Sequence, residues 1–232
     1  MGDGVRRRGV GGVSDRFTAT LRDGVEDEWR AATDHRFTRE LGAGTLDGDA
    51  FARYVVQDYA VVEDLTAAFA VALADAPSTD ARRRYVAFLD TLTDAENDFF
   101  ERAFDAHDVP GRDRTDPVLA EPTAAFRDLL GRARREAGYA ETLAVLVPAE
   151  WIYLSWATRE ADDRPADPLF SEWIELHAAP PFASFVDFLR AELDRVGPSL
   201  SPRRRERVAG LFGRTVSLEV AFFDAAYAAE EI

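Results

Sequence analysis

Apolar residues recur at the spacing of an α-helix in almost every segment of the chain, and no segment alternates as a half-buried strand does. The first such stripe joins Phe17, Leu21, Val25 and Trp29, with Ser14 placed to cap its helix. Long helices without strands can bury their apolar faces only against one another. The periodicity therefore predicts an all-α fold, a multi-helix bundle.

Prolines, glycines and capping residues divide the rest of the pattern into helices. Ser78 caps a long helix that ends before Pro110, and Ser201 with Pro202 marks the start of the last one. No domain linker interrupts the pattern, so we expect one helical domain over 14–232 after a flexible tail over 1–13. We predict the remaining helices over 46–75, 122–136, 140–161, 168–177, 182–196 and 202–229, and a loop over 111–117.

The composition narrows the class of function. The net charge is −15, and all 28 basic residues are arginines. Such an acidic excess argues against nucleic acid or an anionic membrane as a partner, and with the absence of lysine it suggests a salt-loving organism. No apolar run is long enough to span a bilayer, and the N-terminal segment has no apolar signal core, so we expect a cytoplasmic protein.

The residue types that are missing exclude several chemistries. Without cysteine the chain has no disulfide, thiolate zinc site or cysteine nucleophile. Without lysine it has no Schiff base and no Walker-type phosphate loop. Three histidines leave little material for a histidine-rich metal site. We therefore expect no metal and no cofactor.

The helix over 46–75 contains an unusual carboxylate. Asp58 follows Gln57 and lies among apolar neighbours that include Tyr54 and Val61. An isolated charge cannot be buried there at a tolerable free energy, so Asp58 must be paired, hydrogen-bonded or turned toward a polar pocket.

Two later segments show the same anomaly. Pro148 lies inside a helical pattern, where it removes a backbone hydrogen bond and favours a kink, and Glu150 and Tyr153 follow it. A pocket wall is one interpretation, and a kinked core helix with Glu150 turned to solvent is the other. Near the C-terminus, Glu219 and Phe222 share a helix face among apolar residues. Glu219 is either a catalytic carboxyl of raised pKa or part of a solvated face.

These three segments, in this order, resemble the TenA/thiaminase-II family. The resemblance extends over 17–227 and is carried by Gln57-Asp58-Tyr59, by LVPAEWIY around Pro148 and by the S-x-E-x-x-F-F segment that contains Glu219. It implies a haem-oxygenase-like all-α fold, a homo-oligomer (tetramer or dimer), and cofactor-free hydrolysis of a small aminopyrimidine in thiamin salvage.

The resemblance also implies roles for individual residues. Asp58 matches the aspartate that binds the pyrimidine ring nitrogen and exocyclic amine, Glu219 the proton-transferring carboxylate, and Phe222 the stacking aromatic. Tyr153 matches a pocket tyrosine, and three further tyrosine positions are occupied here by Val61, Phe126 and His177. The three segments that carry Asp58, Tyr153, Glu219 and Phe222 are expected to converge on one cavity, with Asp58 beside Glu219.

The chain departs from the typical family member at the nucleophile. The family cysteine follows the proline directly, and that position is Ala149 here. A cysteine-less subclass is described as using a glutamate, for which Glu150 is the candidate. It lies one residue further on, which rotates a side chain by about 100° on a regular helix.

The leading hypothesis is therefore an aminopyrimidine hydrolase in which Glu150 and Glu219 share acid and base roles. A non-catalytic or regulatory aminopyrimidine-binding protein is the first alternative. A haem or di-iron redox enzyme on the same fold is the second, but the only metal-like cluster is Glu172, Glu175 and His177. A lone histidine at a helix end, such as His177, more often caps or packs than ligates.

Overall fold

The computed structural model of the chain describes residues 16–136, 138–162 and 164–228, and it places twelve α-helices in these ranges. None of the residues in these ranges forms a strand, so the all-α prediction is confirmed. The helices are α1 (Phe17–Asp23), α2 (Glu26–Thr33), α3 (Arg36–Gly42), α4 (Gly48–Asp75), α5 (Thr79–Thr93), α6 (Ala95–Ala106), α7 (Gly111–Thr115), α8 (Glu121–Glu136), α9 (Tyr139–Glu160), α10 (Pro168–Ala178), α11 (Pro180–Val196) and α12 (Pro202–Ala225).

Side-chain caps fix the starts of the long helices. The carboxylate of Asp47 accepts hydrogen bonds from the second and third amides of α4, both at 3.1 Å. Ser78 accepts from the third amide of α5 at 3.1 Å, and Ser201 caps α12 in the same way. Each cap satisfies amides that have no partner inside the helix.

Two predicted helices are each broken into two. The first stripe divides into α1 and α2 because Val25, after the poor helix former Gly24, leaves the helical conformation with φ −138° and ψ 37°. The helix after Ser78 divides at Asp94, where the backbone leaves the helical conformation with φ −117° and ψ −86°. Ser14, the predicted cap, lies outside the described residues.

Smaller differences occur at two other boundaries. The predicted loop over 111–117 contains the short helix α7. Helix α12 ends at Ala225, and the predicted end near residue 229 lies outside the described residues, as does the predicted tail over 1–13.

Helix α9 lies at the centre of the bundle. It packs against α4, α8, α10, α11 and α12, and sixteen of its twenty-two residues are buried. A helix that is apolar on nearly every face must be surrounded in this way. No helix among the described residues has the length and hydropathy needed to cross a membrane.

One ion pair fastens α9 to α12 near the start of both helices. Arg204 donates from Nε and Nη2 to the two carboxylate oxygens of Glu141, at 2.8 and 2.6 Å. The Glu141 side chain is only 4% exposed. This bidentate geometry satisfies a carboxylate that would otherwise be buried without a partner.

We expect Arg204→Ala to lower the free energy of unfolding by about 1–3 kcal/mol, because Glu141 then remains buried without its counter-charge. Urea unfolding measures this. The control is Arg30→Ala, which removes an exposed pair with Asp27 and should change stability by less than about 0.5 kcal/mol. Adding Glu141→Gln to Arg204→Ala should recover part of the loss. Equal losses in Arg204→Ala and Arg30→Ala would contradict this account.

Candidate active site

One cavity lies between α4, α5, α6, α8, α9, α10 and α12, with about 580 Å³ of empty space. This figure includes space open to solvent, and the volume that the centre of a water molecule can occupy is about 50 Å³. The structure places all eight predicted site positions on its wall: Asp58, Val61, Phe126, Glu150, Tyr153, His177, Glu219 and Phe222. This cavity is hereafter called the central cavity. The roles of the eight residues in binding or catalysis stay predictions.

A network of buried hydroxyl groups holds Asp58. The Tyr54 hydroxyl donates to Asp58 Oδ2 at 3.2 Å and lies 2.9 Å from the Tyr153 hydroxyl. Trp173 Nε1 donates a hydrogen bond to the Tyr54 hydroxyl at 3.1 Å. Tyr54 has one hydrogen, so when this hydrogen goes to Asp58 the Tyr153 hydroxyl must donate to Tyr54. Three side chains from α9, α10 and α4 itself therefore support one carboxylate.

Aromatic packing fixes the position of Tyr54. Its ring contacts Phe37 with a centroid separation of 4.5 Å and Phe222 edge-on at 5.8 Å. Trp173, its hydrogen-bond donor, stacks on Phe99 at 4.6 Å. Edge and offset contacts of this kind hold rings in defined orientations, so the hydroxyl is presented to Asp58 without a mobile side chain.

Glu150 is not turned to solvent. It is 7% exposed, and both Glu150 and its neighbour Ala149 line the central cavity, as does Tyr153 one turn later. Helix α9 continues through Pro148 without a break. The cavity wall therefore covers an arc of α9 wide enough for two successive side chains, and the 100° rotation does not take Glu150 out of it.

Glu219 is the most deeply buried carboxyl group of the cavity. Its exposed fraction is 1%, and Oε2 is fully buried without a hydrogen-bond partner in the protein. Since buried polar groups are nearly always satisfied, an unpaired carboxyl oxygen on a cavity wall is a site for a ligand or an ordered water.

The sequence analysis missed a fourth carboxyl group. Glu96, in the first turn of α6, lines the central cavity with Asp58, Glu150 and Glu219. Its chain neighbours include Asp94 and Asp98, so the segment has the pattern of a solvated face. One signal in the sequence for the burial of Glu96 was Asp94, which could break the helix that starts after Ser78 and so change the direction of α6.

The four carboxyl groups share one electrostatic environment. Burial, and after it the charge of Asp58, raises the pKa of Glu150 to about 8. Burial raises the pKa of Asp58 to about 7, although the hydroxyl groups of Tyr54 and Tyr153 favour its charged form. The pKa values of Glu96 and Glu219 are raised well above the ordinary range by burial and then by their carboxyl neighbours.

Among the residues that the structure describes, no arginine lines the central cavity, and His177 is neutral, so these residues supply the cluster with no basic counter-charge. His177 Nδ1 lies 3.0 Å from the Trp173 carbonyl, which can only accept, so Nδ1 carries the hydrogen and Nε2 remains an acceptor. Burial lowers the pKa of His177 to about 4. At neutral pH the cavity therefore contains both protonated and ionised carboxyl groups.

The candidate metal cluster is not assembled. Glu172 forms a bidentate pair with Arg102 at 2.6 Å, and Glu175 pairs with Arg164 at 3.1 Å. His177 is buried against Tyr153 and other rings, in agreement with a packing role at the helix end. Among the described residues, no three His, Asp or Glu side chains are grouped closely enough to hold a metal ion.

Comparison with known proteins agrees with this geometry. The family model described as TENA/THI-4/PQQC matches residues 22–229. The chain belongs to this family. The resemblance found from three short segments is thereby confirmed over most of the chain.

The similar proteins include named enzymes. An aminopyrimidine aminohydrolase from Halalkalibacterium halodurans is 23% identical over 213 residues, which cover 91% of this chain and 95% of that protein. One from Bacillus subtilis is 23% identical over 222 residues, covering 93% and 91%. One from Helicobacter pylori is 24% identical over 214 residues, covering 89% and 96%.

Solved structures confirm the haem-oxygenase-like fold. A TenA homologue from Pyrococcus furiosus superposes with a TM-score of 0.81 at 19% identity, covering 91% of this chain and all of that one. A structure described as a TenA family transcription regulator from Silicibacter sp. TM1040 gives 0.82 at 22% identity, covering 92% and 97%.

The raised pKa of Glu150 predicts a stability that depends on pH. The folded protein binds more protons than the unfolded chain between the ordinary glutamate pKa of about 4.3 and about 8, so stability falls as the pH rises through this window. Glu150→Gln mimics the protonated form and should remove part of that fall, each pKa unit being worth about 1.4 kcal/mol.

Urea unfolding of wild type and Glu150→Gln at pH 5, 7 and 9 measures this effect. The variant should gain stability relative to wild type as the pH rises. Glu206→Gln, the same change at an exposed position of α12, should follow wild type at every pH. A constant difference between Glu150→Gln and wild type would show that Glu150 is ionised throughout.

Proposed function

We propose that this TENA/THI-4/PQQC family protein is a cofactor-free hydrolase that removes an amine from a small aminopyrimidine, with carboxyl groups in place of the missing cysteine. The observation that carries the proposal is the central cavity itself, where Glu219 without a hydrogen-bond partner and a hydroxyl-held Asp58 share one wall with Glu150. Three relatives named aminopyrimidine aminohydrolase, each matched over nine-tenths or more of its own length, support the same reaction class.

Asp58 orients the ring. Its Oδ2 already accepts from Tyr54, and the carboxylate has further lone pairs for the adjacent donors of an aminopyrimidine edge. The tyrosine network favours its charged form, so Asp58 is the carboxyl group of the cluster that loses its proton first.

An apolar slot holds the ring faces. Phe222, Phe126 and Val61 are each buried by more than nine-tenths and line the same cavity as Asp58. Phe222 provides the stacking surface, and His177 Nε2 adds one neutral acceptor. Two positions at which the family has tyrosine are thus apolar here. Fewer polar groups then compete with the carboxyl groups for hydrogen bonds to the ligand.

Water is the nucleophile in this scheme. Glu150 in its ionised form accepts a proton from water, the new carbon–oxygen bond forms at the carbon that carries the amine, and the carbon–nitrogen bond breaks. Glu219, which retains its proton because it is so deeply buried, supplies that proton to the leaving nitrogen. The products are a hydroxylated pyrimidine and ammonia, and the proton on Glu150 then returns to Glu219.

The assembly and location of the protein belong to the same proposal. Resemblance to the family favours a homo-oligomer, and similarity to the aminopyrimidine aminohydrolases favours the cytoplasm. The acidic, lysine-free composition favours work at high salt. Light scattering after gel filtration at high salt measures the oligomeric state, and a monomer would contradict that part.

The first test of the reaction is product formation. Incubated at high salt with an aminomethyl- or formylaminomethyl-pyrimidine, the protein should release ammonia or formamide with hydroxymethylpyrimidine, followed by chromatography and mass spectrometry. A pyrimidine that raises the melting temperature but is never consumed would overturn the enzyme and support a binding protein.

The variants at the carboxyl groups separate their roles. Glu150→Gln and Glu219→Gln should each lower kcat by about 10²–10⁴ with little change in KM. Asp58→Asn should raise KM through a loss of about 1.5–3 kcal/mol of binding. If Glu150→Gln is silent while Glu219→Gln abolishes activity, Glu219 works alone on water. The exposed Glu206→Gln is the control.

The rate should also depend on pH through Glu150. The base must be ionised, so kcat/KM should rise with pH until about 8, the pKa raised by burial in the free protein, and then level off. Initial rates between pH 5.5 and 9.5 at constant salt measure this. A rate that is flat across this range would remove Glu150 from the base role.

A further inference from the structure

Glu96 differs from the other three carboxyl groups because it lines two spaces. It lies on the wall of the central cavity and also on the wall of an outer groove between α5, α10 and α11, with about 1060 Å³ of empty space. The groove includes Arg84, Thr91, Leu176, Phe182 and Ser184.

Two other residues share this double position. Phe88 and His177 line both the cavity and the outer groove, so Phe88, Glu96 and His177 form the partition between them. Phe88 stacks on Phe185 at 4.0 Å, and His177 is held by the Trp173 carbonyl. Of these three residues, Glu96 has a flexible side chain with a carboxyl group, and it is half-buried.

The surroundings of Glu96 contain negative charges and little to neutralise them. Asp58 from α4 and Glu150 from α9 act on it through the cavity, with Glu219 from α12 on the same wall. Neutral His177 faces it from α10. On the groove side the basic group is Arg84 of α5, whose guanidinium donates to Ser184 of α11 at 2.8 Å.

A cluster of four carboxyl groups needs a partner that the protein does not provide. The unpaired Oε2 of Glu219, in a side chain that is 1% exposed on the same wall, independently marks a polar atom that has no hydrogen-bond partner in the protein. A ligand that brings a positive charge and several N–H donors satisfies both requirements, whereas a neutral ligand leaves the carboxyl groups repelling one another.

We propose that Glu96 is a specificity residue that receives the cationic ammonium group of the substrate at the partition between groove and cavity, and so selects alkylammonium-bearing aromatic ligands over their neutral counterparts. This inference deepens the proposed function, on which it rests for the identity of the ring. It assigns Glu96 to substrate binding and not to bond cleavage.

The capture is compatible with the proton inventory of the reaction. An ammonium group beside an ionised Glu96 and a neutral amine beside a protonated Glu96 contain the same protons in two positions, and Glu219 keeps its proton in both. The captured cation can therefore return a proton to Glu96 and present the neutral amine to which Glu219 donates. Ionising Glu96 against the incoming ammonium also releases one proton to solvent, because burial and the neighbouring carboxyl groups raise the pKa of Glu96 in the empty cavity.

The test compares two aromatic probes with the same ring and linker, the cation benzylammonium and the neutral benzyl alcohol, by calorimetry with the full chain at high salt. Wild type should prefer benzylammonium, and Glu96→Gln should lose about tenfold to a hundredfold of that preference with little change in benzyl alcohol affinity. Glu96→Asp, which keeps the charge, should retain most of it. Repeating the titration in buffers of different ionisation enthalpy should show proton release in wild type that Glu96→Gln lacks.

Asp98→Asn is the matched control, since it removes one charge from an exposed position two residues away on α6. The inference is overturned if wild type shows no preference, if Glu96→Gln keeps it, or if Asp98→Asn loses as much. Melting temperatures establish that each variant is folded. If Glu96→Gln does not fold, the benzylammonium preference of Glu96→Asp decides whether the inference holds.

The same variants separate this inference from the proposed function. A preference that depends on Glu96 without any pyrimidine turnover leaves the inference standing and overturns the hydrolase. If the protein turns over an aminomethylpyrimidine but Glu96→Gln keeps the preference for benzylammonium, the hydrolase stands and the inference about Glu96 is overturned.

Discussion

The burial of α9 on nearly all its faces is the constraint on which the rest of the structure depends. A helix this apolar forces α4, α8, α10, α11 and α12 to pack around it. A polar group in the buried part of α9 must find a partner. Glu141 finds one in Arg204, whereas Glu150 faces the central cavity without one. The same packing thus produces a stabilising ion pair at one end of the helix and a buried carboxyl group of raised pKa in its middle.

The central cavity concentrates acid and base chemistry without a metal ligand set or a thiol. Its carboxyl groups destabilise one another, and their raised pKa values keep both protonated and ionised forms available near neutral pH. The surrounding rings and the Tyr54 hydroxyl network are well packed and hydrogen-bonded, so the unfavourable electrostatics are offset by the aromatic core. The unfavourable contribution to the stability of the fold is therefore the repulsion among the carboxyl groups, and the apolar packing around them offsets it.

Sequence patterns predicted most of the helices because their caps are local. Asp47, Ser78 and Ser201 satisfy amides only two or three residues away, and this depends on no distant contact. The breaks at Val25 and Asp94 were not predicted, since apolar spacing continues across both. Asp58 and Glu219 could be found because their neighbours are apolar, but Glu96 has polar neighbours and is buried only by the way α6 turns after Asp94.

By itself the sequence determined the all-α architecture, the family, and the absence of thiolate and lysine chemistry, because helical spacing and residue identity are properties of the chain alone. The tertiary structure decided which carboxyl groups meet. Asp58, Glu96, Glu150 and Glu219 come from four helices far apart in sequence, and their pKa values depend on mutual proximity and on exclusion of water. Proximity and desolvation exist only after the helices have packed, so no local pattern contains them.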